Sequence, residues 1–203
     1  MCGIAGLIHR GKSSNVGEEL QHMLQALKHR GPDSTGYALY ADNDGQNFIL
    51  RFKVGENVGE GSTSVNEDES VYNERKKAVD KKLSELGALV VKEEKLTPYS
   101  YRYEIKFDKD LMEFSKAIES IQSVEILSIG KSLELIKDLG DATVVSERYG
   151  LNKVQGTHGI GHARMATESG VDIKSAHPFW GYPFADVSVV HNGQLTNYWN
   201  NRR

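Results

Sequence analysis

Apolar residues recur along this chain with two periods, and the switches between them mark out its elements. Gly3-Ile4-Ala5-Gly6-Leu7-Ile8-His9 is a small, apolar run that predicts a buried strand. Leu20, Met23, Leu24 and Leu27 follow at i, i+3, i+4 and i+7, the spacing of an amphipathic helix. Gly31 and Pro32, within His29-Arg30-Gly31-Pro32-Asp33-Ser34, stop it, because proline cannot continue a helix. Gly36 to Leu39 then predicts a strand, Asp42-Asn43-Asp44-Gly45 a hairpin turn, and Asn47 to Lys53 the returning strand.

A polar, Gly- and Ser-rich stretch from Gly55 to Ser64 reads as a linker. Residues 67–86 predict a helix with Val79, Leu83 and Leu86 on one face, and Ala88 to Lys92 a strand. Tyr101, Tyr103, Ile105 and Phe107 alternate with Arg102, Glu104 and Lys106, the period of a half-buried strand. Asp110 is placed to cap a helix whose apolar face is Leu111, Phe114, Ile118 and Ile121, and Val124 to Ile129 is another strand. The order helix–strand–strand–helix–strand, with a strand near residue 50 in front, resembles a split βαβ sandwich. Residues 55–130 are therefore expected to form an inserted α+β subdomain. Residues 131–150 carry short helical patterns, and Val187 to Val190 predicts a short buried strand running into an Asn192-Gly193 turn.

Length and composition narrow the function classes. The chain has 203 residues, enough for one domain with a sizeable insertion. Hydrophobic content of 38% and charged content of 26% fit a globular protein and argue against wholesale disorder. A net charge of -3 leaves no basic excess to neutralise phosphates, so no nucleic-acid partner is expected. Arg75-Lys76-Lys77 and Lys81-Lys82 are interleaved with acids and read as a solvated helix face. A single cysteine, Cys2, rules out an intrachain disulfide, a cysteine-built zinc site and a protein-ligated iron–sulfur cluster. Neither a signal-peptide core nor a membrane-length apolar run occurs, so a cytoplasmic location without membrane contact is expected.

Four chemistries can be tested against the residues. Gly130-Lys131-Ser132 ends like a phosphate-binding loop, but Glu125 stands where its first glycine is needed. His158 and His162 are four apart, but Gly159 and Gly161 oppose a helix presenting both to a metal, so no metal site is expected. No Gly-X-Gly-X-X-Gly follows a strand, which removes the dinucleotide fold. N-terminal cysteine catalysis fares better. Loss of Met1 would give Cys2 a thiol beside a free α-amine, a nucleophile with its own base. Asn192 and Gly193 offer a side-chain amide and a backbone N–H for an oxyanion, and Arg164 a planar bidentate anchor for a carboxylate. Each piece also has an ordinary reading. A Cys at position 2 can be an accident of a frayed terminus, Asn-Gly is a common turn, and an isolated Arg is usually a surface charge. Phe179 and Trp180 read as packing.

Taken in order, four segments resemble the class II glutamine amidotransferases, a family of N-terminal-nucleophile (Ntn) hydrolases. They are Met1-Cys2-Gly3-Ile4-Ala5-Gly6, His29-Arg30-Gly31-Pro32-Asp33-Ser34, Gly161-His162-Ala163-Arg164-Met165-Ala166-Thr167 and His191-Asn192-Gly193. The matching parts cover roughly 1–50 and 150–200. Within the family, Ala176-His177-Pro178-Phe179 and Asn192-Gly193-Gln194-Leu195-Thr196-Asn197 look most like the glutamate synthase-related amidotransferase subunits, and among them the N-methylglutamate synthase type.

The resemblance implies an α+β, four-layer αββα fold spanning 1–203, with 55–130 inserted. It implies Cys2 as nucleophile, Arg30 ordering the site, Arg164 and Thr167 binding the glutamine α-carboxylate, Asn192 and Gly193 as oxyanion hole, and His177 near the pocket. The substrate would be glutamine, its side-chain amide hydrolysed to glutamate and ammonia through a thioester. Ammonia would pass to a synthase subunit. No cofactor is implied in this chain, and a flavin such as FMN is implied in the partner. The family also holds the substrate α-amine with an Asp downstream of Asn-Gly. The chain ends ten residues after Gly193, so a C-terminally incomplete fold is expected. Two other functions fit the same residues: an Ntn amidase acting on another amide, and a catalytically silent scaffold or regulatory subunit.

Overall fold

The computed structural model describes residues 2–56, 68–165 and 173–193. Thr167, most of the 55–64 linker and the residues after Gly193 lie outside that set. The described chain is mixed α/β, built on two four-stranded antiparallel sheets and a two-stranded ribbon.

The first sheet combines β1 (Gly3–Ile8), β2 (Ser34–Ala41), β7 (Leu133–Leu139) and β8 (Gly156–Arg164) in the order β1-β8-β2-β7. One of its faces is covered by α1 (Val16–Ala26) and α4 (Ala142–Tyr149). Leu20 and Leu24 of α1 and Val145 of α4 pack on Ala5, Tyr37, Leu39 and Ile136 from the strands. The α1 pattern places Leu20 and Leu24 in the core as expected, but Met23 is exposed and Leu27 lies beyond the last helical residue. Asn15 and Asp141 cap these helices, each carboxamide or carboxylate accepting first-turn N–H groups that have no intrahelical partner.

The second sheet combines β3 (Phe48–Lys53), β4 (Leu89–Thr97), β5 (Ser100–Lys106) and β6 (Glu125–Gly130) in the order β4-β5-β3-β6. Helices α2 (Glu69–Leu86) and α3 (Leu111–Glu119) join its strands into β3-α2-β4-β5-α3-β6, the connectivity of a split βαβ sandwich. Tyr101, Tyr103 and Ile105 alternate inward from β5 against Val79 and Leu83 of α2 and Phe114 and Ile118 of α3. Asp68 and Asp110 cap the two helices. Residues 55–130 thus supply three strands and both helices of this unit, and β3, which precedes residue 55, is one of its two central strands.

Three expectations from the sequence are corrected. Asp42–Gly45 does not close a hairpin: β2 pairs with β7 and β8, whereas β3 pairs with β5 and β6 in the other sheet. Residues 42–47 instead carry the chain from one sheet to the other. Leu133–Leu139 is a strand rather than helix, and all seven of its residues are buried. A strand buried on both faces loses its alternation, so Leu133, Leu135, Ile136 and Leu139 match a helical period equally well. Finally, only Ser188–Val189 of the 187–190 run is a strand (β10), paired with β9 (Phe179–Trp180), and Val187 and Val189 are exposed.

The second sheet meets β7 through a polar junction. Along β3, Leu50 and Phe52 face α2 and α3, so Arg51 and Lys53 face the first sheet. Arg51 and Arg102 both donate to Glu134 of β7, Arg102 through Nε at 2.9 Å and Nη2 at 3.0 Å. Lys53 and Lys137 share Glu125, at 3.0 and 3.2 Å. Tyr99 and Tyr149 both donate to Asp138 Oδ2. A small apolar cluster of Ala38, Leu127, Leu133 and Leu135 fills the rest.

Burial alone would keep Glu134 protonated, but the charge of Arg51 and the hydrogen bonds and charge of Arg102 outweigh it and bring its pKa from 4.5 down to about 2. A carboxylate with a depressed folded pKa stabilises the fold above its unfolded pKa and loses that contribution as pH falls through the folded value. Stability should therefore decline between pH 4.5 and about 2. Glu134→Gln should flatten that decline and destabilise the neutral-pH protein by about 3–5 kcal/mol, because the buried Arg51 guanidinium loses its counter-charge and the half-buried Arg102 its bidentate partner. Urea denaturation across pH checks both outcomes.

Candidate active site

Four distant segments meet at one end of the first sheet. In the β1–β8 register Gly3 lies opposite Ala163, and in the β2–β8 register Ser34 lies opposite Arg164. Cys2 therefore sits at the start of β1 beside the end of β8, half-buried, its thiol 4.0 Å from the Met165 carbonyl. Strand alternation puts Cys2, Ile4, His162 and Arg164 on the face opposite α1 and α4. Arg164 is buried to 8% exposure.

The loop after α1 is held against the end of β8 by close backbone approach. A Cβ on Gly31 would stand 2.5 Å from the Ala163 carbonyl oxygen and 2.5 Å from the Arg164 carbonyl carbon, so only glycine fits. The next turn closes when Asp33 N–H donates to the Arg164 carbonyl at 3.2 Å. Arg30, the last residue of a 3₁₀ turn over Lys28–Arg30, is thereby kept one residue from this contact.

Asn192 completes the cluster from the far end of the chain. Its Nδ2 donates to the Cys2 carbonyl at 2.9 Å. An amide NH₂ carries two hydrogens, so the bond to Cys2 fixes the plane and leaves the second hydrogen directed away from that carbonyl. Gly193 follows directly, exposed beside the His191 ring.

His177 lies over β2. A Cβ on Gly36 would stand 1.9 Å from the His177 carbonyl oxygen, which lets the His177-Pro178 segment lie on the strand backbone. The His177 ring is 5.0 Å from that of His162 and 4.6 Å from that of Phe179. His162 is 1% exposed, and neither of its ring nitrogens has a hydrogen-bond partner among the described residues. Burial, with the nearby His177, Arg164 and His191, lowers its pKa to about 4. Burial, with His191, Lys137 and Arg164, lowers His177 to about 4 as well.

The structure thus brings together Cys2, Arg164, Asn192 and Gly193, sets Arg30 beside them and adds His177 one layer away; Thr167 lies outside the described residues. His158 and His162 do share one face of β8, but His158 stacks on Tyr40 at 3.9 Å between ring centroids while His162 meets His177. No group of three or more His, Cys, Asp or Glu suited to a metal occurs among the described residues. His162 is the neighbour that sequence reasoning passed over as half of a metal pair. Its position two before Arg164 in a strand was the available signal, since i and i+2 share a face.

Comparison with known proteins bears on the kind of protein that carries these residues. Residues 1–47 match the glutamine amidotransferase domain family. The whole chain aligns with a protein of Methanothermobacter thermautotrophicus provisionally named a glutamine amidotransferase, 37% identical and covering 64% of that protein. It also aligns over its whole length with the glutamine amidotransferase-like protein GlxB of Rhizobium meliloti, 32% identical and covering 62% of it. Glutamine–fructose-6-phosphate aminotransferase of Methanococcus maripaludis is 32% identical over 46% of this chain and 16% of its own length. The chain spans less than two thirds of the first two relatives. The chain is thus similar to proteins named as glutamine amidotransferases and carries a match to that domain family over residues 1–47.

The two depressed histidines carry a pH signature. Both are neutral in the fold and titrate near 6.5 when unfolded, so their contribution is present above pH 6.5 and is lost as pH falls towards about 4. His162→Phe should remove part of this acid sensitivity between pH 6.5 and 4.5, where Glu134 remains ionised. Thermal unfolding at stepped pH measures it; an unchanged slope contradicts the assignment.

Proposed function

We propose that this chain is the glutaminase part of a class II glutamine amidotransferase, with Cys2 as an N-terminal nucleophile freed by removal of Met1. The observation that carries this reading is the Asn192 carboxamide bound to the Cys2 carbonyl at 2.9 Å. It joins a thiol and an oxyanion donor that lie 190 positions apart in the sequence.

In the proposed reaction the Cys2 α-amine, directly or through water, takes the thiol proton. The thiolate forms a C–S bond to the side-chain amide carbon of glutamine, and the carbonyl oxygen becomes an oxyanion. The second Nδ2 hydrogen of Asn192 and the Gly193 N–H stabilise that charge, one such donor being worth about 3–4 kcal/mol. The C–N bond then breaks, the nitrogen leaves as ammonia with the proton returned by the α-amine, and a thioester remains. Water cleaves the C–S bond to give glutamate and restore the thiol. Arg164, on the same face as Cys2, binds the glutamine α-carboxylate through its planar guanidinium. Thr167 adds to that contact, Arg30 orders the loop, and His177 borders the pocket.

The family's αββα layering is inferred from the way α1 and α4 cover one face of the first sheet while Cys2 stands on the other. Residues 55–130 are proposed as an insertion carried by that domain. Ammonia is proposed to pass to a synthase partner of glutamate synthase type, with any flavin bound by that partner, and the N-methylglutamate synthase subunit is the proposed counterpart. A cytoplasmic location is likewise proposed. No helix among the described residues is long and apolar enough to cross a membrane.

In the full-length protein, Cys2→Ala should abolish glutamate release from glutamine, and undiminished release would contradict the nucleophile assignment. Arg164→Lys should raise the KM for glutamine by roughly 10- to 100-fold, because hydrogen bonds to charged groups are worth about 1.5–3 kcal/mol and lysine loses the bidentate fork. Steady-state kinetics of both variants measure these effects.

A further inference from the structure

Asn192 reaches Cys2 from a segment whose apolar anchorage lies at Trp180, packed against the apolar clusters of both sheets, and not at its Asn192 end. The preceding ribbon pairs only Phe179–Trp180 with Ser188–Val189, and a two-stranded ribbon is at best marginally stable in water. Phe184, Val187 and Val189 are exposed, so burial on that side does not hold it. A polar contact does. The Asp186 carboxylate accepts N–H bonds from three successive backbone amides of the β6–β7 turn: Lys131 at 3.0 Å, Ser132 at 2.7 Å and Leu133 at 2.7 Å. It also accepts the Ser132 hydroxyl at 3.0 Å. Three convergent amides form the same concave cradle that binds anions elsewhere in proteins. Here Gly130-Lys131-Ser132, the run that resembles the end of a phosphate loop, is filled by the chain's own carboxylate.

Two features show that the cradle is shaped for this carboxylate. A Cβ on Gly130 would stand 2.4 Å from Asp186 Oδ1. Asp186 itself adopts φ 58°, a left-handed conformation that residues other than glycine take up at some cost, Asp and Asn most readily. Burial opposes ionisation of Asp186, but the amide bonds from Lys131, Leu133 and Ser132 hold its pKa below the ordinary carboxylate value. Beside the latch, Tyr40 and Ser188 hydroxyls bond at 2.9 Å and tie the ribbon to β2. Asn192 lies six residues after Asp186 and four after Ser188.

We propose that Asp186 is a positioning residue: docked in the β6–β7 turn, it fixes the ribbon so that the Asn192 carboxamide is held against Cys2. It touches no substrate, and it acts through the Asn192-Gly193 segment. The proposal rests on the amidotransferase reading for its kinetic consequence but not for its structural one.

The test uses the full-length protein with Asp186→Ala, Asp186→Asn and Gly130→Ala. The last variant keeps the carboxylate and crowds it from the other side. If Asp186 positions the oxyanion donor, Asp186→Ala and Gly130→Ala lower kcat for glutamine hydrolysis by roughly 10- to 100-fold, part of the loss of one oxyanion donor. KM for glutamine stays within about twofold, because Arg164 is untouched. Asp186→Asn, which retains one acceptor oxygen, falls between these variants and the parent. Alkylation of Cys2 by a simple haloacetamide, a displacement that forms no oxyanion, proceeds at the parent rate. Hydrogen exchange in Asp186→Ala speeds up at Lys131–Leu133 and at residues 188–193 but not in β1 or β8. Unchanged kcat in both variants overturns the proposal, as does a uniform loss of kcat, alkylation and exchange protection, which marks a merely structural residue. If the parent protein shows no Cys2-dependent glutamine turnover, the amidotransferase reading fails instead. The exchange data then decide the latch alone, and unaltered protection at 188–193 refutes it.

Discussion

Strand β8 pairs with β1 on one side and β2 on the other, and everything at the candidate site follows from that double register. Because both pairings are antiparallel, the end of β8 lies beside the starts of β1 and β2. Cys2, the Arg30–Asp33 loop and Arg164 are brought to one sheet end by hydrogen bonds that also build the core. A slip of one residue in β8 would turn His162 and Arg164 to the helical face and away from Cys2. Packing on the opposite face prevents that slip, since β8 presents Gly159 and Gly161 to Leu20 and Leu24, and a Cβ at Gly161 would stand 2.5 Å from Leu24 Cδ1. Site geometry and core packing are thus set by the same constraint.

The split βαβ unit is attached by a different kind of force. Apolar contact between the two sheets centres on a few residues around Leu127 and Leu135, whereas Arg51, Lys53, Lys137, Glu134 and Asp138 are buried beside it, with Arg102 and Glu125 half-buried. Hydrophobic burial has no direction and tolerates sliding. Buried charges lose far more when displaced, because each one left alone keeps its desolvation cost. The junction therefore favours one orientation of β7 against β3 and β6. That orientation sets the β6–β7 turn, and with it the cradle in which Asp186 docks.

Much of this was legible in the residues, for reasons that can be named. Alternation in β5 and the 3.6 period in α1 and α3 were clear because each element buries one face only. Cys2, Arg164 and Asn192-Gly193 stood out because their side chains suit one chemistry together. What the sequence hid was pairing and polarity inside the core. Leu133–Leu139 has no solvent face to betray its period, and the turn-forming residues Asp42–Gly45 say nothing about which sheet the next strand joins. Nothing local distinguishes Arg51 and Glu134, which meet across 83 positions, from surface charges. Asp186 was equally silent, because its role depends on amides contributed more than fifty residues earlier. Buried ion pairs and carboxylate latches are properties of tertiary contact, and no window along the chain contains both halves.

The central claim is that Cys2, with its α-amine free, is the group that attacks glutamine. The most direct measurement is intact and peptide mass spectrometry of the full-length protein after treatment with a diazoketone analogue of glutamine. Such a reagent is drawn to the nucleophile by the carboxylate and amine of the amino acid and forms a stable thioether there. The account predicts a single adduct, on a peptide that begins at Cys2 and lacks Met1, and protection by excess glutamine. An adduct on any other residue, or an unmodified chain that retains Met1, would contradict it.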